Sequence, residues 1–290
     1  MSMQSLGNHH QWKRRLRNYL PSLPGDILKL LVVACFLFPF YWMLITSFKT
    51  YSEAIMSPPS FWPIDFTFEA YQTILTKMNI NMTRYATNSV VVTLAVIVIQ
   101  LVVMVPAAYA FAKFRFFGKG LMFGIVLIAF MIPTQVTFIT VYLTMSDWGM
   151  IKTLWPQILP FGANAFGIFL LRQGFMQVPD ELIESAKLDN ASEIKIMSRI
   201  MLPMSMSSII TIALFSFVSH WNSYFWPLVM TNTEEMRPLT MAIEKIKSEE
   251  LGVIWTTIMA GNMILVIPVV IIFLFASKKI IAAFAYKGVK

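Results

Sequence analysis

The chain has 290 residues, of which 57% are hydrophobic and only 13% are charged, with 24 Phe and a formal net charge of +8. This composition excludes an ordinary soluble domain and indicates a polytopic membrane protein. The positive charges lie near the ends of apolar segments, and no basic run is interleaved with aromatics as single-strand binding requires. They therefore predict membrane topology and not nucleic-acid binding.

Six apolar stretches are long enough, at about 20 residues, to cross a bilayer as helices. They are Ile27–Phe48, Ser89–Ala112, Leu121–Thr144, Leu154–Leu171, Pro203–Met230 and Val253–Ala276. The fourth is the least regular, because it contains Pro156, Pro160 and Gly162. We therefore predict an all-α, polytopic membrane protein with six transmembrane helices.

Lys and Arg are concentrated on one side of these stretches: in the N-terminal segment 1–26, after the second stretch, in 172–199 and in the C-terminal tail. The connections on the other side contain most of the Asp and Glu. The positive-inside rule then predicts that both termini and the 179–207 segment are cytoplasmic. The first stretch is too long for a signal-peptide core and no cleavage site follows it, so we expect a retained span. The single cysteine, Cys35, lies within it, so no disulfide is expected.

The 179–207 segment is a polar connection between two apolar stretches. Asp180 is a good helix N-cap, which predicts a helix over about Glu181–Leu188. Asn190 readily adopts the left-handed conformation that ends a helix. Ser192 can cap a second helix that continues to Pro203. The segment is thus predicted to be a helix, a tight turn and a second helix.

This segment resembles the EAA loop of ABC importer permeases, whose usual form is E-A-A-x-x-x-G. The matching residues are Glu184, Ser185, Ala186, Asp189, Asn190 and Ala191. Ser185 replaces the second Ala and Asn190 replaces Gly, so the small side chain and the left-handed turn are both kept. The resemblance implies that residues 27–290 form an ABC transmembrane domain and that this loop docks on a partner ATPase. The alternative is a solvated connector on the lipid surface.

The ends of stretches one, two and five, together with the C-terminal tail, resemble those of carbohydrate-uptake permeases. This resemblance implies a bacterial or archaeal inner-membrane location, a second permease subunit, two ATPase subunits that bind ATP and Mg²⁺, and an extracytoplasmic solute-binding protein. It implies transport of a sugar or oligosaccharide. Glycerol 3-phosphate or a polyol is the alternative substrate.

Polar and aromatic residues within the spans are candidates for a substrate path. In the fifth stretch, the rings of Trp221, Tyr224 and Trp226 could stack on a sugar while Asn222 binds its hydroxyls, or the rings could form an interfacial aromatic belt. Outside this stretch the candidates are Gln135 and Asn164, for which hydrogen bonding between helices is an equal alternative.

The external connection 231–252 is acidic. In related maltose-type systems the equivalent loop reaches into the binding protein, so the resemblance implies docking near Arg237, Pro238 and Leu239. A solvated charged loop is the alternative.

Among the six stretches, Lys29 is the only Asp, Glu, Lys or Arg. Ion-coupled carriers usually place an ionisable group in mid-membrane, and the chain also lacks a P-loop and recognisable hydrolase or metal motifs. We therefore expect no catalytic residue, metal site or bound cofactor in this chain, and energy that comes from a partner. An ATP-independent channel is the alternative from another functional class.

Overall fold

The computed structural model of the protein describes residues 23–77, 80–248 and 254–285. Within these ranges the regular structure is helical and contains no strand. The α-helices are α1 (Leu23–Thr46), α2 (Tyr51–Ala54), α3 (Glu69–Gln72), α4 (Met82–Lys113), α5 (Lys119–Met131), α6 (Thr134–Asp147), α7 (Ala165–Met176), α8 (Asp180–Leu188), α9 (Glu193–Ile196), α10 (Leu202–Met204), α11 (Met206–Trp221), α12 (Phe225–Met230), α13 (Leu239–Ser248) and α14 (Trp255–Ala285). Residues 1–22 of the predicted N-terminal segment, 249–253 of the external connection and 286–290 of the tail lie outside the described residues.

The described part of the chain divides into two compact units: residues 23–72 with 254–263, and residues 73–77 and 80–248 with 264–285. In the first unit, α1 is an apolar helix of 24 residues that ends at Thr46, slightly before the predicted Phe48. The segment after it is held by buried polar groups: Lys49 Nζ donates to the Ser60 carbonyl at 2.5 Å, and Glu53 Oε1 accepts from the Ile64 N–H at 3.0 Å. These contacts fold the proline-containing segment back on the end of α1.

The second unit is organised around α4, a helix of 32 residues. One face of α4 is buried against α7 and α11. Its core includes Met104, Ala108, Leu171 and Phe175, which are fully buried. Near the middle of α4, the buried Gln100 donates to the Phe161 carbonyl at 2.9 Å and accepts from Ser216 Oγ at 2.7 Å. A satisfied polar pair of this kind fixes the relative positions of the helices it joins.

The predicted spans differ in their regularity. Among the residues that the structure describes, three helices are long and apolar enough to cross a membrane: Gly25–Thr46, Met82–Lys113 and Trp255–Ser277. Two further candidates are bent pairs, Lys119–Met131 with Thr134–Asp147 at 96° and Glu193–Met204 with Met206–Trp221 at 79°.

Three of the predicted spans are therefore not single continuous helices. The third stretch is two helices, because Pro133 cannot donate the backbone hydrogen bond that would continue α5. The fourth, predicted as Leu154–Leu171, consists of two 3₁₀ turns, Trp155–Gln157 and Leu159–Phe161, followed by α7. The fifth, predicted as Pro203–Met230, is interrupted at 222–224 between α11 and α12.

Candidate functional site

The first helix of the 179–207 loop is α8, as the sequence predicted, but its start differs. Pro179 occupies the N-cap position and makes no side-chain cap, so the prediction that Asp180 is the cap was wrong. Asp180 is instead the first helical residue, and its carboxylate accepts from Lys113 Nζ at 2.6 Å. This hydrogen bond, with the lysine charge, lowers the pKa of Asp180. Lys113 also donates to the Val178 carbonyl at 2.7 Å, so the C-terminal end of α4 holds the start of α8.

The turn after α8 has the geometry of a Schellman motif. Asn190 adopts φ = 53°, the only positive φ at a non-glycine residue among those described. Its N–H donates to the Lys187 carbonyl at 3.0 Å, and the Ala191 N–H donates to the Ala186 carbonyl at 2.9 Å. The predicted left-handed turn is therefore present in the structure.

The second helix of the loop begins as predicted. Ser192 Oγ accepts from the Lys195 N–H, and α9 follows from Glu193. A π-helical turn, Met197–Met201, then joins α9 to α10, and the chain bends into α11 after Ser205. The helix, turn and helix arrangement predicted for this loop is the arrangement found.

The loop is held to the second unit by its inner face. Ile183 of α8 and Ile196 of α9 are buried in the main core. Ala186 and Ala191 are half-buried and pack against the same core. Ala186, one of the residues that match the motif, is therefore turned partly toward the chain's own core.

The outer face of the loop is open in the structure. Glu184, Ser185, Asp189 and Asn190 are all exposed. Leu188 is 83% exposed, although it is a large apolar residue in the middle of this polar face. All six predicted motif residues thus lie on α8 and the turn that follows it, and four of them face outward.

A hydrogen-bonded cluster joins the turn to α4. Tyr109, which is 4% exposed, donates from its hydroxyl to Glu193 Oε2 at 2.6 Å. Lys187 Nζ lies 3.0 Å from Glu193 Oε1. The hydrogen bonds from these two groups lower the pKa of the Glu193 carboxyl, so it is ionised at neutral pH. The sequence analysis did not single out Tyr109. The only feature that could have identified it is its position as a tyrosine close to the basic end of a predicted span.

The predicted substrate-path residues fall into two groups. Trp221 and Trp226 are buried, and their indole N–H groups donate to the carbonyls of Leu265 at 2.9 Å and Pro156 at 2.8 Å. These rings fill the interior of the chain and are not open to a solute in this structure. Asn222 and Tyr224, at the break between α11 and α12, are exposed.

The two remaining candidates also differ from each other. Gln135 is exposed in the first turn of α6. Asn164 is the N-cap of α7, where its Oδ1 accepts from the Gly167 N–H at 3.1 Å. This capping hydrogen bond accounts for the amide side chain at position 164, and no role in a substrate path is needed to explain it.

The predicted docking residues lie in a segment that is fixed to α4. Leu239 is 1% exposed and donates its N–H to Ser89 Oγ at 2.7 Å. The Arg237 carbonyl accepts from Asn88 Nδ2 at 3.0 Å. Pro238 is also buried, so neither its side chain nor that of Leu239 faces outward in this structure. The neighbouring Glu234 and Glu235 are exposed.

A helical chain with several apolar spans, and with an exposed helix pair fixed between two of them, is the architecture of a membrane transport subunit. Residues 104–282 match the family described as "Binding-protein-dependent transport system inner membrane component", and the chain belongs to that family. It is a multi-pass inner-membrane permease of the ABC importer class, as the 179–207 motif predicted.

Several characterised proteins are similar to the chain. It is 29% identical to the sn-glycerol-3-phosphate transport system permease protein UgpE of Brucella abortus (strain 2308), over 87% of this chain and 91% of that protein. It is 31% identical to the diacetylchitobiose uptake system permease protein DasC of Streptomyces coelicolor (strain ATCC BAA-471 / A3(2) / M145), over the same shares. A solved bacterial ABC transporter involved in the import of alginate has the same fold, with a TM-score of 0.80 at 24% identity over 90% of this chain and 97% of that one.

Proposed function

We propose that this chain is one of two permease subunits of a carbohydrate importer, and that α8 and its turn dock on a partner ATPase. Two ATPase subunits bind ATP and Mg²⁺, and an extracytoplasmic binding protein delivers the solute. Both chain termini and the 179–207 loop lie on the cytoplasmic side. Closure of the ATPases moves this loop and turns the permease pair from inward-facing to outward-facing, which is a rigid-body transition.

The observation that supports docking most strongly is the exposed face of α8. Leu188 is 83% exposed, the carboxylate of Glu184 lies on the same helix, and Asp189 is the C-cap residue of that helix. Protein interfaces commonly combine an apolar centre with a polar rim. An apolar side chain flanked by carboxylates on an exposed loop suits insertion into a cleft on a partner. The carboxylates then pair with basic groups on the ATPase.

The energy source follows from the spans. Lys29 is the only Asp, Glu, Lys or Arg in the six predicted stretches, and it is paired with Asp26 at 2.9 Å near the start of α1. A carrier driven by ions usually has an ionisable group at mid-membrane. Transport by this chain therefore depends on ATP hydrolysed by its partners, and the chain itself catalyses no reaction.

For the substrate we favour a sugar or oligosaccharide. Gln135, Asn222 and Tyr224 are exposed polar groups in or beside the spans, and they offer hydrogen bonds and an aromatic surface to sugar hydroxyls. Glycerol 3-phosphate is the second candidate, because UgpE is a permease for that compound. A phosphate usually requires Arg or Lys, and a second permease would have to supply it.

The docking proposal is tested by affinity purification of the tagged chain from its native membranes in mild detergent. The wild type should recover an ATPase and a second permease. The double change Glu184→Ala and Asp189→Ala should reduce the recovered ATPase by at least about tenfold, since losing one partner of a buried charge pair costs 2–5 kcal/mol or more. The matched control is Glu181→Ala, which removes an exposed carboxylate from the same helix outside the motif.

Equal recovery of the ATPase with the double variant and with the control would exclude docking through these carboxylates. A wild-type chain that purifies without any ATPase would exclude the importer itself and favour a channel.

A further inference from the structure

We propose that α4 transmits nucleotide-dependent movement of the 179–207 loop to the 233–239 segment, through hydrogen bonds at its two ends. Tyr109 and Lys113 are the positioning residues at the C-terminal end, and Asn88 and Ser89 are those at the N-terminal end. This proposal rests on the proposed function, since it assumes that the loop responds to an ATPase.

The contacts at the C-terminal end hold both helices of the loop. Lys113, whose side chain is 11% exposed, donates to Asp180 at 2.6 Å and to the Val178 carbonyl at 2.7 Å. Tyr109, one turn earlier on the same face of α4, donates to Glu193 at 2.6 Å. Asp180 is the first residue of α8 and Glu193 the first residue of α9. One face of α4 therefore contacts the start of each loop helix.

The contacts at the N-terminal end hold the 233–239 segment by its backbone. Asn88 Nδ2 donates to the Glu235 carbonyl at 2.8 Å and to the Arg237 carbonyl at 3.0 Å. Ser89 Oγ accepts from the Leu239 N–H at 2.7 Å. These bonds do not depend on the side chains of the segment, so any displacement of α4 displaces the backbone itself.

Both sets of contacts are directional. Apolar packing is non-directional, so a loop held by packing alone can slide or rotate on its support. A hydrogen bond weakens steeply when its angle or length changes, and bonds to an ionised carboxylate are about twice as strong as neutral ones. The contacts of Tyr109 and Lys113 therefore fix the register between the loop and α4, which packing of Ile183 and Ile196 alone does not do.

The helix between the two ends is a continuous support. Its 32 residues extend about 48 Å at 1.5 Å per residue. Pro106 removes one backbone hydrogen bond within it. The residues around Pro106 are well packed, since Met104, Val105 and Ala108 are all buried in the core. Tyr109 and Ser89 are thus about 30 Å apart on one helix that cannot shorten.

The test uses the complete importer, purified with its ATPase, in the presence and absence of Mg-ATP with vanadate, which traps the nucleotide on the ATPase. Hydrogen exchange of the backbone amides in 233–239 is the measurement. In the wild type, trapping should change these exchange rates by at least about fivefold, the lower end of typical coupling between two protein sites. Tyr109→Phe, which removes one oxygen about 30 Å from the segment, should reduce this change to less than about twofold.

Ser89→Ala gives the second arm. It should also suppress the nucleotide-dependent change in exchange rate. The double variant Tyr109→Phe with Ser89→Ala should show the same residual change as either single variant, because the two contacts act in series. The exchange rates with and without trapped nucleotide are compared within each variant, because Ser89→Ala removes the acceptor of the Leu239 N–H and so changes its exchange rate even without nucleotide. Asn88→Leu, which keeps the volume of the side chain, is a third variant with the same expected result.

Thr93→Val is the matched control. Thr93 is a fully buried residue of the same helix, and its hydroxyl has no hydrogen-bond partner among the residues the structure describes. It should behave as the wild type. A Tyr109→Phe importer that traps nucleotide and retains the full exchange response would overturn the proposal, as would additive effects in the double variant. A wild type that recovers no ATPase would instead reject the proposed function, so the two failures are distinguishable.

Discussion

The turn after α8 leads to a quantitative prediction, because Asn190 holds φ = 53° between two backbone hydrogen bonds. Most L-residues pay roughly 1–2 kcal/mol for this conformation, and β-branched residues are the least tolerant of it. Asn190→Val should therefore destabilise the closed turn by at least about 1–2 kcal/mol. Asn190→Gly should cost nothing or stabilise it, since glycine adopts positive φ without strain.

The Ala191 amide measures this effect directly, because its N–H donates to the Ala186 carbonyl at 2.9 Å only when the turn is closed. A loss of 1–2 kcal/mol corresponds to exchange that is about five- to thirtyfold faster in Asn190→Val. Asn190→Gly serves as the control and should exchange at or below the wild-type rate. Unchanged protection of Ala191 in the valine variant would refute the left-handed turn as the element that fixes the loop.

Three further predictions concern packing, a buried polar pair and pH. A Cβ at Gly174 would lie 2.8 Å from Ser208 Oγ, so Gly174→Ala should destabilise the fold by an overpacking cost of about 1–3 kcal/mol and lower the melting temperature in detergent. Ser208→Gly in the same chain should restore the melting temperature. A melting temperature that stays low in the double variant would contradict the close contact. Ser216→Ala leaves Gln100 Oε1 without its partner and should lower the free energy of unfolding by about 1 kcal/mol. Adding Gln100→Leu should recover part of this loss, and thermal melting measures both changes. Because hydrogen bonds lower the pKa of Glu193 in the folded loop, its contribution to stability is complete above the ordinary carboxyl pKa of about 4.3 and is lost as pH falls through the lower folded-state pKa. The melting-temperature difference between wild type and Glu193→Gln should therefore shrink on acidification, and a difference that widened would contradict the assignment.

The loop could be predicted from the sequence because its determinants are local. Asn190 ends α8 through its own backbone preference, and Ser192 caps α9 through the amide three residues later. Composition and the lengths of the apolar stretches were likewise enough to predict a helical membrane protein. The 179–207 motif was enough to predict the family.

The features that sequence could not give depend on residues that are distant in the chain. Asp180 was predicted as a cap, but Lys113, 67 positions away, pairs with it. Trp221 and Trp226 were predicted to line a path, yet carbonyls from other elements accept their N–H groups and bury the rings. A single span was predicted for Leu121–Thr144, where the chain instead forms two helices on either side of Pro133, since apolar composition does not reveal a bend.

The central claim is that transport through this chain is driven by ATP on a partner bound to the 179–207 loop. It is tested most directly in proteoliposomes that contain the complete importer with its binding protein, using labelled diacetylchitobiose and sn-glycerol 3-phosphate as probes. We predict that any probe taken up enters only when Mg-ATP is supplied on the ATPase side, and that this uptake is lost with Glu184→Ala and Asp189→Ala. Equal uptake with and without ATP, unaffected by these changes, would contradict the account.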